Sequence, residues 1–97
     1  MIKNEFKELV LDTISKHSNI SKTIISKSHF TLSELIHTSP KLINSVDLME
    51  VFAYTAIQIK KKYQVAPKLP ALPLSTTMDE VVEYLFETTK LKLEVRQ

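Results

Sequence analysis

Three long stretches of the chain repeat apolar residues every three to four positions, the spacing of an amphipathic helix. The first covers roughly residues 2–17, with Phe6, Leu9, Val10, Thr13 and Ile14 on one face and Lys3, Lys7, Glu8 and Asp12 on the other. The second starts at Asn44 or Ser45 and runs to Lys62 or Tyr63. Its stripe is Val46, Met49, Phe52, Ala53, Ala56, Ile59 and Tyr63, opposite Asp47, Glu50, Tyr54 and Lys61; Leu48, Val51 and Ile57 widen the apolar surface. The third starts after Thr76 or Thr77 and carries Met78, Val81, Val82, Leu85 and Phe86.

The intervening segments carry their own signals. Between His17 and Ser28 the chain turns polar, and a loop is expected there, with Ile20, Ile24 and Ile25 tucked onto the core. Thr31 followed by Glu34 has the form of a capping box, so one helical turn is expected over 31–36, broken by Ser39-Pro40. Asn44 is a good N-cap, which places Asp47 in the first turn of the second helix, where a carboxylate favours the helix dipole. Pro67, Pro70 and Pro73 forbid a continuous helix over 64–76, and Leu69, Leu72 and Leu74 give this loop apolar anchors. Thr77 with Glu80 is a second capping box. The pattern predicts a small all-α bundle of three main helices and one or two short turns. Residues 1–90 form a single domain, and residues 91–97 are read as a charged, frayed tail.

Composition narrows this picture. The chain has 97 residues, 43% hydrophobic and 25% charged, with no Cys and no Gly. A core of ordinary size must hold it without disulfides. The absence of Gly excludes glycine-rich phosphate loops and forces any left-handed turn onto Asn or Ser. No apolar run approaches the roughly 20 residues of a membrane span, and the mixed charges of the first eight residues lack the apolar core of a signal peptide. These features predict a cytoplasmic, monomeric protein. A net charge of +2 with interleaved acidic residues argues against a nucleic-acid partner, and the three lysines from Lys60 to Lys62 read as a solvated helix end. His17, His29 and His37 lack metal-ligand spacing. No paired carboxylates or nucleophile elbow point to catalysis.

One stretch carries chemistry. In Asn44-Ser45-Val46-Asp47-Leu48 a serine opens the longest apolar helix, at the positive end of the helix dipole, where a phosphate ester is stabilised. This stretch resembles the attachment motif of acyl carrier proteins. The order of elements from Ile2 to Phe86 is similar to that family's, as is the run from Thr76 through Leu85 that opens the last helix. Asn44 stands where the family has Asp, and the balance is basic where the family is acidic.

The resemblance implies a non-catalytic carrier. Ser45 would bear 4′-phosphopantetheine and hold acyl intermediates as thioesters for fatty-acid or polyketide-type biosynthesis. The implied partners are a pantetheinyl transferase and acyl-transfer and ketosynthase-type enzymes, docking on Val46, Asp47, Leu48, Glu50 and Tyr54. Met49, Val51, Phe52, Ile59, Leu72 and Val82 would line the acyl-chain pocket or pack the core. The alternative is an unmodified, carrier-like helical module for protein–protein interaction.

Overall fold

The structure, a computed structural model, describes residues 1–69 and 71–96, the side chain of Arg96 excepted. Pro70, the middle proline of the loop, and Gln97, the last residue of the expected tail, lie outside the described residues. Five helices make up the described fold: α1 (Lys3–Ser18), α2 (Lys22–Ile25), α3 (Leu32–Thr38), α4 (Ser45–Tyr63) and α5 (Met78–Arg96). The fold is all-α, as the spacing of apolar residues predicts.

Each helix start has a local cause. Ser21 caps α2 by accepting from the Ile24 N–H. Thr31 and Glu34 close the expected capping box on α3, and Thr77 and Glu80 do the same on α5. The hydrogen bonds from the Thr77 backbone and hydroxyl hold the Glu80 carboxyl below its ordinary value of 4.5. Asn44 caps α4. The left-handed positions that a glycine-free chain must fill fall at Asn19, His29 and Gln64. Asn19 and His29 are residue types enriched in this region, and Gln64 is not.

α1 is the axis of the bundle. It runs antiparallel to α4, so His17 stacks on Tyr54 at 4.2 Å and Phe6 meets Tyr63 at 5.9 Å. It also runs antiparallel to α5, with Lys3 paired to Glu83 and Lys7 lying 4.0 Å from Asp79. Phe6 meets the Phe86 ring edge-on at 5.4 Å, which closes an aromatic layer across all three helices. Phe6, Val10, Leu11 and Ile14 from α1, Leu48, Val51, Phe52 and Ile59 from α4, and Met78, Val81, Val82 and Leu85 from α5 fill the core.

Several elements differ from their sequence-based expectations. Residues 22–25 form a helical turn rather than a loop; Ile20 and Ile25 are buried, while Ile24 is exposed. The buried face of α4 is rotated from the expected stripe: Val46 is 66% exposed, whereas Leu48 is 4% exposed and Val51 and Thr55 are buried. Thr55 enters the core because its hydroxyl donates to the Val51 carbonyl at 2.8 Å, which leaves its methyl as an apolar contact. Thr88 and Thr89 donate to the Leu85 carbonyl, and α5 continues to Arg96 where residues 91–97 were expected to be a frayed tail.

The proline-rich stretch 64–76 holds no helix among its described residues and is pinned mainly by its backbone. Leu32 N–H donates to Thr76 O at 2.9 Å, Ser33 N–H to Leu74 O at 2.9 Å, and Met78 N–H to Phe30 O at 2.8 Å. Val65 and Pro67 are buried, Leu72 is half-buried, and Leu69 and Leu74 are exposed. The pinning carries this loop alongside the first turns of α4.

Candidate functional site

The approach to Ser45 is fixed by two polar residues. Ser39, buried at the end of α3, donates its hydroxyl to the Ser18 carbonyl. The same oxygen accepts from Lys41 N–H at 3.1 Å and Leu42 N–H at 3.2 Å. One serine thus ties the end of α1 to the turn that leads into α4, and Leu42 is drawn into the core. Asn44 then starts the helix, its Oδ1 accepting from Val46 N–H at 2.9 Å and Asp47 N–H at 3.2 Å. Asp47 folds back and accepts from Ile43 N–H at 2.8 Å.

Ser45 is the first residue of α4 and is exposed. Its hydroxyl stands at the positive pole of a 19-residue helix. A helix start ordinarily offers free backbone N–H groups to a phosphate. The structure assigns the Val46 and Asp47 amides to Asn44. Those two amides are taken, and the helix dipole remains to stabilise a phosphate ester on Ser45.

Two clefts flank this helix start. One, of about 250 Å³, lies between α4 and the pinned loop and is lined by Ser45, Val46, Leu48, Met49, Phe52 and Leu72, with Ala71 and Leu74. Of the expected pocket residues, Met49, Phe52 and Leu72 line this apolar cleft beside the serine. Val51, Ile59 and Val82 are core residues and do not line it. Ala71 and Leu74 were missed by sequence reasoning, because nothing in a proline-rich loop tells which helix it lies against.

The other cleft is polar, about 240 Å³, and is lined by His17, Lys41, Asp47, Glu50 and Tyr54 over Leu42 and Val51. It gathers three of the five expected docking residues. Val46 stands exposed nearby, on the apolar side. Leu48 is the exception: it is buried in the core, and what little of it remains accessible borders the apolar cleft and not the polar one. His17 and Lys41 join the face unexpectedly. The antiparallel register of α1 and α4 brings His17 to Tyr54, and this register could have been sought from the two helix lengths. The face is therefore of mixed charge, with Glu50 exposed and Asp47 engaged in capping.

Among the described residues no group of three or more His, Asp or Glu side chains converges as a metal site, and no helix is long and apolar enough to cross a membrane. No protein-family model, no curated protein and no solved structure matches this chain, so the reading of the site rests on its own residues and geometry.

Proposed function

We propose that the protein is an acyl carrier, with Ser45 as the attachment point for 4′-phosphopantetheine. The observation that carries this reading is the pairing of an exposed serine at the first position of α4 with an apolar cleft lined by Met49, Phe52 and Leu72. A hydroxyl in that position meets the demands of a carrier. It is reachable by a modifying enzyme, it is rigidly placed by Asn44 and Ser39, and it lies in a field that favours a phosphodiester.

When bound, the prosthetic group supplies a thiol that holds acyl chains as thioesters. The chain's own contribution is binding and orientation. The cleft offers an acyl chain an apolar wall next to the attachment point, and Met49 is a flexible side chain suited to adjusting that wall. The polar face of His17, Lys41, Glu50 and Tyr54 is the surface left for enzyme partners, with fatty-acid or polyketide-type synthesis as the pathway class. In this reading the protein carries the acyl group and the partner enzymes do the catalysis.

The test is incubation of the purified chain with coenzyme A and a pantetheinyl transferase of broad specificity, read by intact mass. A gain of one phosphopantetheinyl group, absent in Ser45→Ala, is the expected result. An unmodified mass with both proteins folded leaves the reading of α4 as an unmodified interaction helix, for which the capping roles of Asn44 and Asp47 are a complete explanation.

A further inference from the structure

The end of the bundle away from Ser45 is built differently. The aromatic layer of Phe6, Tyr63 and Phe86 sets Phe86 level with the end of α4. α5 then runs on to Arg96, about 15 Å further at 1.5 Å per residue. Thr89 is buried, but this last portion presents Leu91 at 58% and Val95 at 85% exposure. The two are four residues apart and share one helix face. Together with Val65 and Ala66 they floor a shallow groove of about 440 Å³, rimmed by Lys60 and Lys92. Lys61, Lys62 and Lys90 are exposed at the same end, against Glu87 and Glu94, and Lys62 also borders a cleft with Glu5, Glu8 and Asp12.

What sets this end apart is the gathering of five lysines, since Lys16, Lys27, Lys41 and Lys68 elsewhere also lack a carboxylate partner among the described residues. Lys3, Lys7 and Lys22 pair with Glu83, Asp79, Glu8 and Asp12. Among the described residues, Lys60, Lys61, Lys90 and Lys92 pair with no carboxylate, and Lys62 lies over the Tyr63 ring. Unpaired cations around exposed aliphatic side chains complement a surface that is both anionic and apolar.

We propose that this pole docks on an anionic lipid bilayer, with Leu91 and Val95 entering the interface and the lysines meeting lipid phosphates. The size and composition of the patch favour that occupant. A stable protein interface buries about 800 Å² on each partner, and two exposed aliphatic side chains are a small nucleus for one. A nucleic acid would use the lysines but leave Leu91 and Val95 unused. A bilayer needs few apolar side chains when several cations assist. In this orientation Ser45 faces solution, since it lies 15 residues of helix from Lys60, about 22 Å. The proposal does not depend on modification of Ser45.

The test is co-sedimentation of the full chain with vesicles of phosphatidylcholine alone and of phosphatidylcholine with phosphatidylglycerol in equal parts. The expected result is partition onto the mixed vesicles only, weakening as salt is raised. Lys60→Gln and Lys92→Gln should each lower the partition coefficient about fivefold. Val95→Ser should lower it without changing the charge, and Lys41→Gln, at the Ser45 end, should leave it unchanged. All four positions are exposed, and far-UV circular dichroism checks that the variants keep their helix content. Equal partition onto both vesicles, partition onto neither, or a loss with Lys41→Gln equal to that with Lys60→Gln would overturn the proposal. So would lysine-dependent binding of duplex DNA by a protein that leaves the vesicles untouched.

Discussion

The two ends of α4 stand on the same core but are finished with different chemistry. At its start, Asn44 and Asp47 satisfy the local amides, Ser39 anchors the incoming turn, and an exposed hydroxyl sits between an apolar and a polar cleft. At its end, three lysines stand near the negative pole of the helix, and Tyr63 is clamped by Phe6. The start is held by hydrogen bonds between neighbouring segments and the end by aromatic packing. Position at the start is therefore set to the accuracy of directed bonds, as suits a site that must present one oxygen. At the end, the exposed lysines make no hydrogen bond or ion pair that fixes their position among the described residues.

Substitutions can separate these two modes of support. The largest effect is expected from Phe52→Ala, because Phe52 is both core and cleft wall. It should cost about 3–5 kcal/mol in urea unfolding. Phe6→Ala should cost a similar amount at the other end; a Phe52→Ala loss below that range would mean that the cleft collapses over the gap. Ser39→Ala comes next. It leaves the buried turn ahead of α4 without its shared acceptor and should cost about 1–3 kcal/mol, also read by urea unfolding. A neutral Ser39→Ala would break the claim that directed bonds hold the start of α4.

Asn44→Ala should cost about 1 kcal/mol through loss of the cap, with Asn44→Asp retaining stability close to the parent's. The smallest effect is expected at the far end. The Tyr63 hydroxyl is buried with no hydrogen-bond partner among the described residues. Tyr63→Phe therefore removes an unmet polar group and should leave stability unchanged or raise it by up to about 1 kcal/mol. A loss of stability would reveal a partner for that hydroxyl and make the two ends more alike than they are described here.

The caps made much of the fold legible. Thr31 with Glu34, Asn44, and Thr77 with Glu80 mark their helix starts to within about one residue, because capping chemistry is local. The face of α4 was harder to read. Apolar residues cover more than half of its circumference, and the choice between Val46 with Met49 and Leu48 with Val51 is made by where α1 lies, which is not local information. The threonines misled for a related reason. Thr55, Thr88 and Thr89 are polar by type, yet each returns its hydroxyl to the preceding turn and sits within a continuous helix. At the candidate site, Ser45 and its cap were legible, while the clefts on either side required the packing of the proline-rich loop and of α1.

The central claim concerns one oxygen atom. The intact mass of the chain isolated from its own cells, before any transferase is added, tests it most directly. The account predicts a species heavier than the sequence by one phosphopantetheinyl group, alone or with an acyl chain attached, whose added mass maps to the peptide containing Ser45. A chain recovered entirely at its sequence mass from cells in which it is abundant, or an addition mapped to any other residue, would contradict it.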